Sequence, residues 1–312
     1  MNILSIARLM DKKCFMKIDN IYILILGGSK FKDSRIQAVC DTWLKNFSNY
    51  FISCDGPLDK AINHKAVTEH NNWHSCPPKI FKGIDFVLKN HNNCEWLFIG
   101  DDDTFVNAVN LLAFSKLLDV REDKMYGKDM TGNYPYNGSQ IKYLSGGGGT
   151  LLPMHVAEKM IEKAKKEKWF EWLCWPRQIP PKHEGDHPTA AGADTKLGWL
   201  GNQLGIKQVS YPHLFHPEGF KKYKHDPSNI LQCITYHRQY GNAQKQLNDI
   251  VFKDVSANTL SLEPQEPKRI IEKTAKTTQV IENNLSASYY INTELILLRK
   301  KIEKLEKKIE TK

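Results

Sequence analysis

Three consecutive carboxylates, Asp101-Asp102-Asp103, close a run of apolar residues, Trp96-Leu97-Phe98-Ile99, and apolar residues resume at once with Phe105 and Val106. A short apolar run of this kind, ending in a turn, has the composition of a buried strand. Like charges packed so closely repel unless a cation neutralises them. The chain must therefore fold so that the tip of this strand stays open to a ligand, and α/β folds collect ligands at the carboxyl ends of their strands. The cation suited to oxygen ligands is a hard divalent metal, and a phosphate is its natural partner.

The sequence around this strand alternates between strand and helix. Residues 21–26, all apolar and rich in Ile, form a buried strand that turns at Gly27-Gly28-Ser29. Asp33 or Ser34 then caps a helix from Arg35 to about Leu44. Tyr50-Phe51-Ile52-Ser53 is a second strand, ending at Cys54-Asp55-Gly56. A helix at 79–90, with Ile80, Ile84, Val87 and Leu88 on one face, precedes the acidic strand. This order predicts an α/β fold with a mostly parallel central sheet flanked by helices. It brings residues 27–29, Asp55 and the three aspartates to one edge. Helices are predicted at 107–118, 154–167 and 195–204, with two short strands flanking 130–143 and a last strand at 209–211. The boundaries follow: a lead-in at 1–17, one domain over 18–235, an extension and linker at 236–285, and a C-terminal helix at 286–312.

Net charge is +9 over 312 residues, and part of the excess sits in residues 286–312, with seven Lys or Arg against four Glu. There is no long basic run with interleaved aromatics, so nucleic acid is not the expected partner; an anionic nucleotide fits the charge equally well. Seven scattered cysteines without a CxxC pair argue against a zinc site. Ile291, Leu295, Leu298, Ile302, Leu305 and Ile309 alternate spacings of four and three, a coiled-coil seam about three heptads long. It serves either a homodimer or a helix docked on the core. Residues 169–190, rich in aromatics, proline and histidine, read as a long functional loop.

Several chemistries can be tested against the triple aspartate. A calcium loop of the EF-hand type needs an oxygen ligand where Phe105 stands and Gly where Val106 stands. A phosphatase-type strand tip needs Thr or Val at Phe105, which disfavours a metal-dependent phosphohydrolase. A DxD motif of the nucleotide-sugar type fits: one carboxylate binds Mn2+ or Mg2+, which bridges a diphosphate, and another reaches the ribose. The bland alternative is an acidic turn in solvent. The run Gly146-Gly147-Gly148-Gly149 is neither a Walker loop nor a dinucleotide fingerprint. Trp169, Trp172 and Trp175 suit stacking on sugar faces, with at least one expected in the core. The cluster His183-Glu184-Gly185-Asp186-His187 matches no metal signature.

The order of residues 21–26, Arg35 with Asp41-Thr42-Trp43, Cys54-Asp55-Gly56, the acidic strand, the glycine run, Ala193-Asp194-Thr195-Lys196-Leu197-Gly198 and Leu214-Phe215-His216 resembles the Fringe-type β-1,3-glycosyltransferases, a group that includes the core 1 galactosyltransferases. The resemblance covers roughly residues 20–225. It implies a GT-A fold and a metal-dependent inverting transfer, in a β-1,3 linkage. A hexose or N-acetylhexosamine would move from a UDP-sugar to a hydroxyl of a glycan, glycoprotein or other acceptor, with Mn2+ (or Mg2+) as cofactor. Carried over by position, Asp103 and His216 are the metal ligands, with His213 as the alternative to His216. Asp101 and Asp102 support the metal, ribose or sugar, and Asp55 contacts the nucleotide. Arg35 reaches the diphosphate, a surface salt bridge being its other reading, while Gly147 and Gly148 admit the donor sugar. Asp194 is the catalytic base. Ala193 replaces the first acidic residue of the family's motif. Were that residue the base, the chain would be a non-catalytic sugar-binding or scaffold protein, or Asp186 would serve instead. The first residues lack a signal-peptide layout, because Asp11, Lys12 and Lys13 interrupt them, and no apolar run is long enough to span a bilayer. Beside animal Fringe-like enzymes this suggests a soluble protein in the cytoplasm of a microbe or virus-infected cell rather than the Golgi lumen. The sequons at Asn46, Asn137 and Asn284 have meaning only for a secreted chain.

Overall fold

A computed structural model describes residues 17–69, 75–90, 93–133, 140–175, 192–219 and 233–260. In chain order these form β1 (Ile18–Leu26), α1 (Gln37–Asp41), β2 (Phe47–Cys54), β3 (His64–Ala66), α2 (Cys76–Asn90), β4 (Trp96–Asp101), β5 (Phe105–Val106), α3 (Ala108–Leu117), β6 (Lys124–Gly127), β7 (Asp129–Asn133), β8 (Gln140–Leu144), β9 (Thr150–Pro153), α4 (Met154–Lys166), α5 (Phe170–Leu173), α6 (Ala193–Gln203), β10 (Lys207–Ser210), β11 (Phe215–His216), β12 (Thr235–Tyr236) and α7 (Asn242–Leu260). The central sheet has the order β10-β6-β9-β4-β1-β2-β3. β1 pairs in parallel with both β2 and β4, and only β9 runs against its neighbours. The α/β class and the mostly parallel sheet flanked by helices are as the sequence predicts.

The reason is visible in β1. Tyr22, Leu24 and Leu26 enter one core, and Ile21, Ile23 and Ile25 enter the other. β4 divides in the same way, with Leu97 and Ile99 on one side and Trp96 and Phe98 on the other. A strand buried on both faces has no polar side, so it reads as a continuous apolar run. One core takes Ile80, Phe81, Ile84 and Val87 of α2 together with residues of α4 and α6. The other takes Val39 of α1, Leu111 and Phe114 of α3, and Leu247 and Val251 of α7.

Three boundaries differ from expectation. The helix expected over 35–44 is a π-helical turn at Lys32–Ile36 followed by α1, which ends at Asp41. The Thr42 hydroxyl donates back to the carbonyl of Ala38, closing the last turn. α2 starts at Cys76 rather than 79, because Pro77 and Pro78 fall in its first turn, where no amide donor is needed. The compact unit runs on to Val255 rather than 235, since Leu247 and Val251 are buried in its core. The remaining unit, Ser256–Lys312, includes the predicted C-terminal helix, which lies outside the described residues, as do Asp186 and the histidines beside it. No described helix is long and apolar enough to cross a membrane. The six described cysteines are free thiols.

Lys196 on α6 is fully buried, and its ammonium donates to the carbonyls of Trp172 (2.9 Å), Leu173 (3.3 Å) and Trp175 (2.9 Å). These carbonyls close the C-terminal turn of α5, so one cation satisfies acceptors that the helix leaves open. The same contact ties the tryptophan segment to α6. Trp172 is buried against Trp199, whereas Trp175 is exposed. Lys196→Met removes this donor from all three carbonyls, of which Trp172 keeps the amide of Trp175. It is expected to lower the unfolding free energy by about 3 kcal/mol, read from urea midpoints.

Candidate active site

The ends of β1, β2 and β4 meet as the sequence predicts. After β1 the chain turns, and the amide of Gly28 donates to Asp102 Oδ2 at 2.8 Å. The amide of Ser29 donates to Asp55 Oδ1 at 2.7 Å. Asp55 is turned inward, with its side chain 1% exposed and Lys79 Nζ at 2.8 Å. Burial raises its pKa, but Lys79 and Ser29 outweigh that and hold the carboxyl below its ordinary range. Asp55, expected at the nucleotide, anchors the 27–29 turn that carries the Gly28 amide.

Asp101 closes β4, and Asp102 and Asp103 follow in a turn in which Thr104 donates from its hydroxyl to the carbonyl of Gly147 (3.0 Å). Asp102 and Asp103 are buried. Burial and the neighbouring Asp103 carboxylate push Asp101 up to about 7, with Asp102 and Asp194 adding to the rise. Burial, only partly offset by the Gly28 amide, pushes Asp102 up to about 6. Arg35 places Nη1 3.4 Å from Asp102 Oδ1 and 3.4 Å from Asp103 Oδ2.

The histidine at these carboxylates is His237. Its Nε2 lies 3.2 Å from Asp103 Oδ1 and 3.9 Å from Asp101 Oδ2. Its Nδ1 lies 3.0 Å from the carbonyl of Pro217. A carbonyl can only accept, so Nδ1 carries a proton and Nε2 is the nitrogen presented to the acids. Burial lowers the pKa of His237, but the carboxylates of Asp103 and Asp101 outweigh it and leave the imidazole above its ordinary value. One ligand atom from each of Asp101, Asp103 and His237 falls within 4.8 Å of the others. Two crowded carboxylates, Asp103 buried and Asp101 half-buried, and an imidazole oriented by a carbonyl are a donor set that fits a divalent cation.

His216 stands elsewhere. Its Nε2 is 2.9 Å from Cys233 Sγ, and its ring stacks on Tyr236 at 4.9 Å and 9°. The two short strands explain the exchange. β11 and β12 pair in parallel, with His216 opposite Tyr236. Successive side chains of a strand alternate in direction, so His237, one residue beyond Tyr236, leaves on the other side. β12 also pairs antiparallel with β5, Tyr236 opposite Phe105, which carries His237 back beside the aspartates. Past residue 200 the sequence offers two aromatic–His steps, Phe215-His216 and Tyr236-His237. Only the strand register separates them. His213, the alternative to His216, contributes its carbonyl to the Cys233 thiol.

Burial pushes the His216 imidazole down to about 4, from an ordinary 6.5, despite a hydrogen bond to the His213 backbone. The unfolded chain therefore takes up a proton that the folded one refuses. The His216 contribution to stability is complete above pH 6.5 and falls as the pH drops towards 4, by about 3 kcal/mol. Asp101 and Asp102, whose pKa values are raised, act in the opposite direction over this range, so the His216 contribution is read as a difference: between pH 7 and pH 4.5, urea unfolding of the wild type should lose more stability, or gain less, than that of His216→Gln.

The glycine run joins the parts. A Cβ on Gly147 would stand 2.4 Å from the ring of His237, so the bare backbone here makes room for the imidazole. Gly148 has open contacts and donates no such space, although its carbonyl accepts from Thr235. Gly149 needs its missing side chain twice over, with φ at +80° and Phe98 in the way. At the other end, the amide of Gly146 reaches Asp194 Oδ2 at 3.4 Å. Asp194 lies in the first turn of α6, where its Oδ1 also accepts from the amide of Thr195. Ala193 before it is buried. The structure thus brings Arg35, Asp101, Asp102, Asp103, Gly147 and Asp194 together, replaces His216 by His237, and turns Asp55 inward. His237 lies beyond the stretch covered by the sequence resemblance, and its only sequence signal is the second aromatic–His step.

Comparison with known proteins follows the same lines. The Fringe-like family model matches residues 16–277. Over 232 residues the chain is 21% identical to a mouse (Mus musculus) β-1,3-glucosyltransferase, covering 72% of this chain and 42% of that protein. It is 22% identical to a human (Homo sapiens) β-1,3-glucosyltransferase, covering 72% of this chain and 41% of that protein. The chain therefore matches well under half the length of these curated relatives. Among solved structures it is similar to a glycosyltransferase involved in the glycosylation of the major capsid of PBCV-1. That match has a TM-score of 0.36 and 13% identity, over 74% of this chain and 99% of the other.

Proposed function

The chain belongs to the Fringe-like family, and we propose that it is a glycosyltransferase of GT-A type that moves a hexose or N-acetylhexosamine from a UDP-sugar to an acceptor hydroxyl, with inversion. The names of the mouse and human relatives make glucose and a β-1,3 linkage the first donor and linkage to test. The observation that carries the reading is the joining of two groups at one sheet edge: Asp101, Asp103 and His237 within 4.8 Å, and Asp194 reached through the Gly146 amide. Asp103 and His237 would hold Mn2+ or Mg2+, with Asp101 beside them. A divalent cation there supplies charge stabilisation to the departing diphosphate.

The chain's own residues supply the rest. Asp194 takes the acceptor hydroxyl's proton as that oxygen forms its bond to C1 of the donor; the bond from C1 to the phosphate oxygen breaks, and UDP keeps the electron pair. Asp102 is held by the Gly28 amide and Arg35 and so keeps the strand tip in one conformation. Lys79 and Asp55 fix the turn that presents that amide. Nucleotide binding itself is assigned to the open side of the Arg35–Asp102 pair, and a glycan or glycoprotein is the acceptor class.

The test is UDP release from a panel of UDP-sugars with and without Mn2+, together with thermal shift, since a ligand that binds the folded state raises its stability. Mn2+-dependent release, or a shift with one donor, is the expected result. A panel without binding or release, with metal present, would remove the reading.

A further inference from the structure

Arg35 is held in a way that a simple surface ion pair is not. Its guanidinium lies over two aromatic rings, 3.9 Å from the centroid of Phe31 and 4.4 Å from that of Tyr240. Phe31 belongs to the turn after β1, and Tyr240 follows His237, so the two rings come from opposite ends of the described domain. The backbone bond from the amide of Gln239 to the carbonyl of Asp103 (2.8 Å) fixes the Tyr240 segment at the acids. Two ring contacts from separate segments restrict the orientation of a planar guanidinium.

In that orientation Arg35 divides Asp103. Oδ2 faces Arg35 at 3.4 Å and Oδ1 faces His237 at 3.2 Å. The guanidinium therefore stands behind the Asp101–Asp103–His237 cluster, not inside it. It neutralises part of the acidic charge without filling the space between the ligand atoms. Among the described residues only its Nη1 is engaged in ion pairs, and the side chain is 24% exposed, so further N–H donors remain for an anion.

The geometry points to Arg35 as a built-in counter-ion with opposite effects on the two ligands of the site: held by Phe31 and Tyr240, it weakens a divalent cation bound alone at Asp101, Asp103 and His237, and strengthens a nucleoside diphosphate bound with it. The inference rests on the metal-dependent reading above. A fixed positive charge repels a cation at short range and attracts the diphosphate that would lie against both. The two ligands are then coupled, each favouring the other.

Binding of Mn2+ alone, followed by the free-ion resonance signal, and of UDP in excess Mn2+, followed by calorimetry, tests this on the full chain. Arg35→Gln is expected to bind Mn2+ alone about three- to tenfold tighter and UDP with Mn2+ about three- to tenfold weaker. A residue that merely supports the fold would move both affinities the same way. Weakening of both, or an unchanged Mn2+ affinity, overturns the proposal. Tyr240→Ala, at a position 48% exposed and so tolerant of truncation, should show the same opposite signs at smaller size; no change in either affinity removes the clamp. If the wild type binds no Mn2+ even with UDP present, the metal-dependent reading fails instead.

Discussion

Asp103→Ala and His237→Ala proteins are expected to keep their fold and to lose about 10³-fold in sugar transfer, equivalent to about 4 kcal/mol of transition-state stabilisation. Their response to Mn2+ should disappear with it. Asp103 shares a buried corner with Asp101 and Asp102, whose pKa values are raised by burial and by its charge. Removing that charge relieves the repulsion but takes a partner from Arg35 and His237, so the thermal-shift control is what separates lost activity from lost fold. His237 is the sharper case, because the sequence also offers His216. His216→Ala should retain the Mn2+ response, since its ring faces Cys233 and Tyr236. Initial rates of UDP release across a Mn2+ titration, with a thermal-shift control, separate the two histidines. A His216→Ala protein without a metal response beside a fully responsive His237→Ala protein would reverse the assignment.

That comparison also marks where sequence reasoning runs out. The central strands were legible because residues 21–26 of β1 and 96–99 of β4 are buried on both faces and are apolar throughout. The carboxylates at the tip of β4 were legible because charge beside such a run must have a purpose. His237 was not. Choosing it over His216 requires the pairing of β11 with β12 and of β12 with β5, which joins residues about 130 positions apart. A two-residue strand carries no periodicity of its own. Gly147 was legible as a close approach, but the group that needs the space is the His237 ring. Asp55 falls at the predicted edge, yet Lys79, a residue of the next helix, draws it inward. In each case local composition marked the position, and a partner distant in sequence decided its surroundings.

Asp194→Asn is expected to lower turnover by about 10²–10⁴-fold, the range that a positioned general base contributes. Asn keeps the shape of the side chain and one oxygen for the amide of Thr195, so α6 should start as before; the longer contact of the Gly146 amide to the second carboxylate oxygen is lost. What it lacks is the capacity to take the acceptor's proton. The substitution also removes a negative charge that helps to raise Asp101. Proton competition for Asp101 then weakens, and Mn2+ affinity should be unchanged or slightly tighter. Falling kcat with intact metal and UDP affinity is therefore the signature of the base, and it differs from the pattern of Asp103→Ala, in which both fall. Full transfer by Asp194→Asn would place the base elsewhere, with Asp186 the next candidate to substitute. A wild type that binds UDP-sugar and Mn2+ but transfers nothing to any acceptor would instead favour the non-catalytic alternative. Ala193 would then be the position to restore: it is buried beside Asp194 in the first turn of α6, and Ala193→Glu would test whether a second carboxylate there returns the reaction.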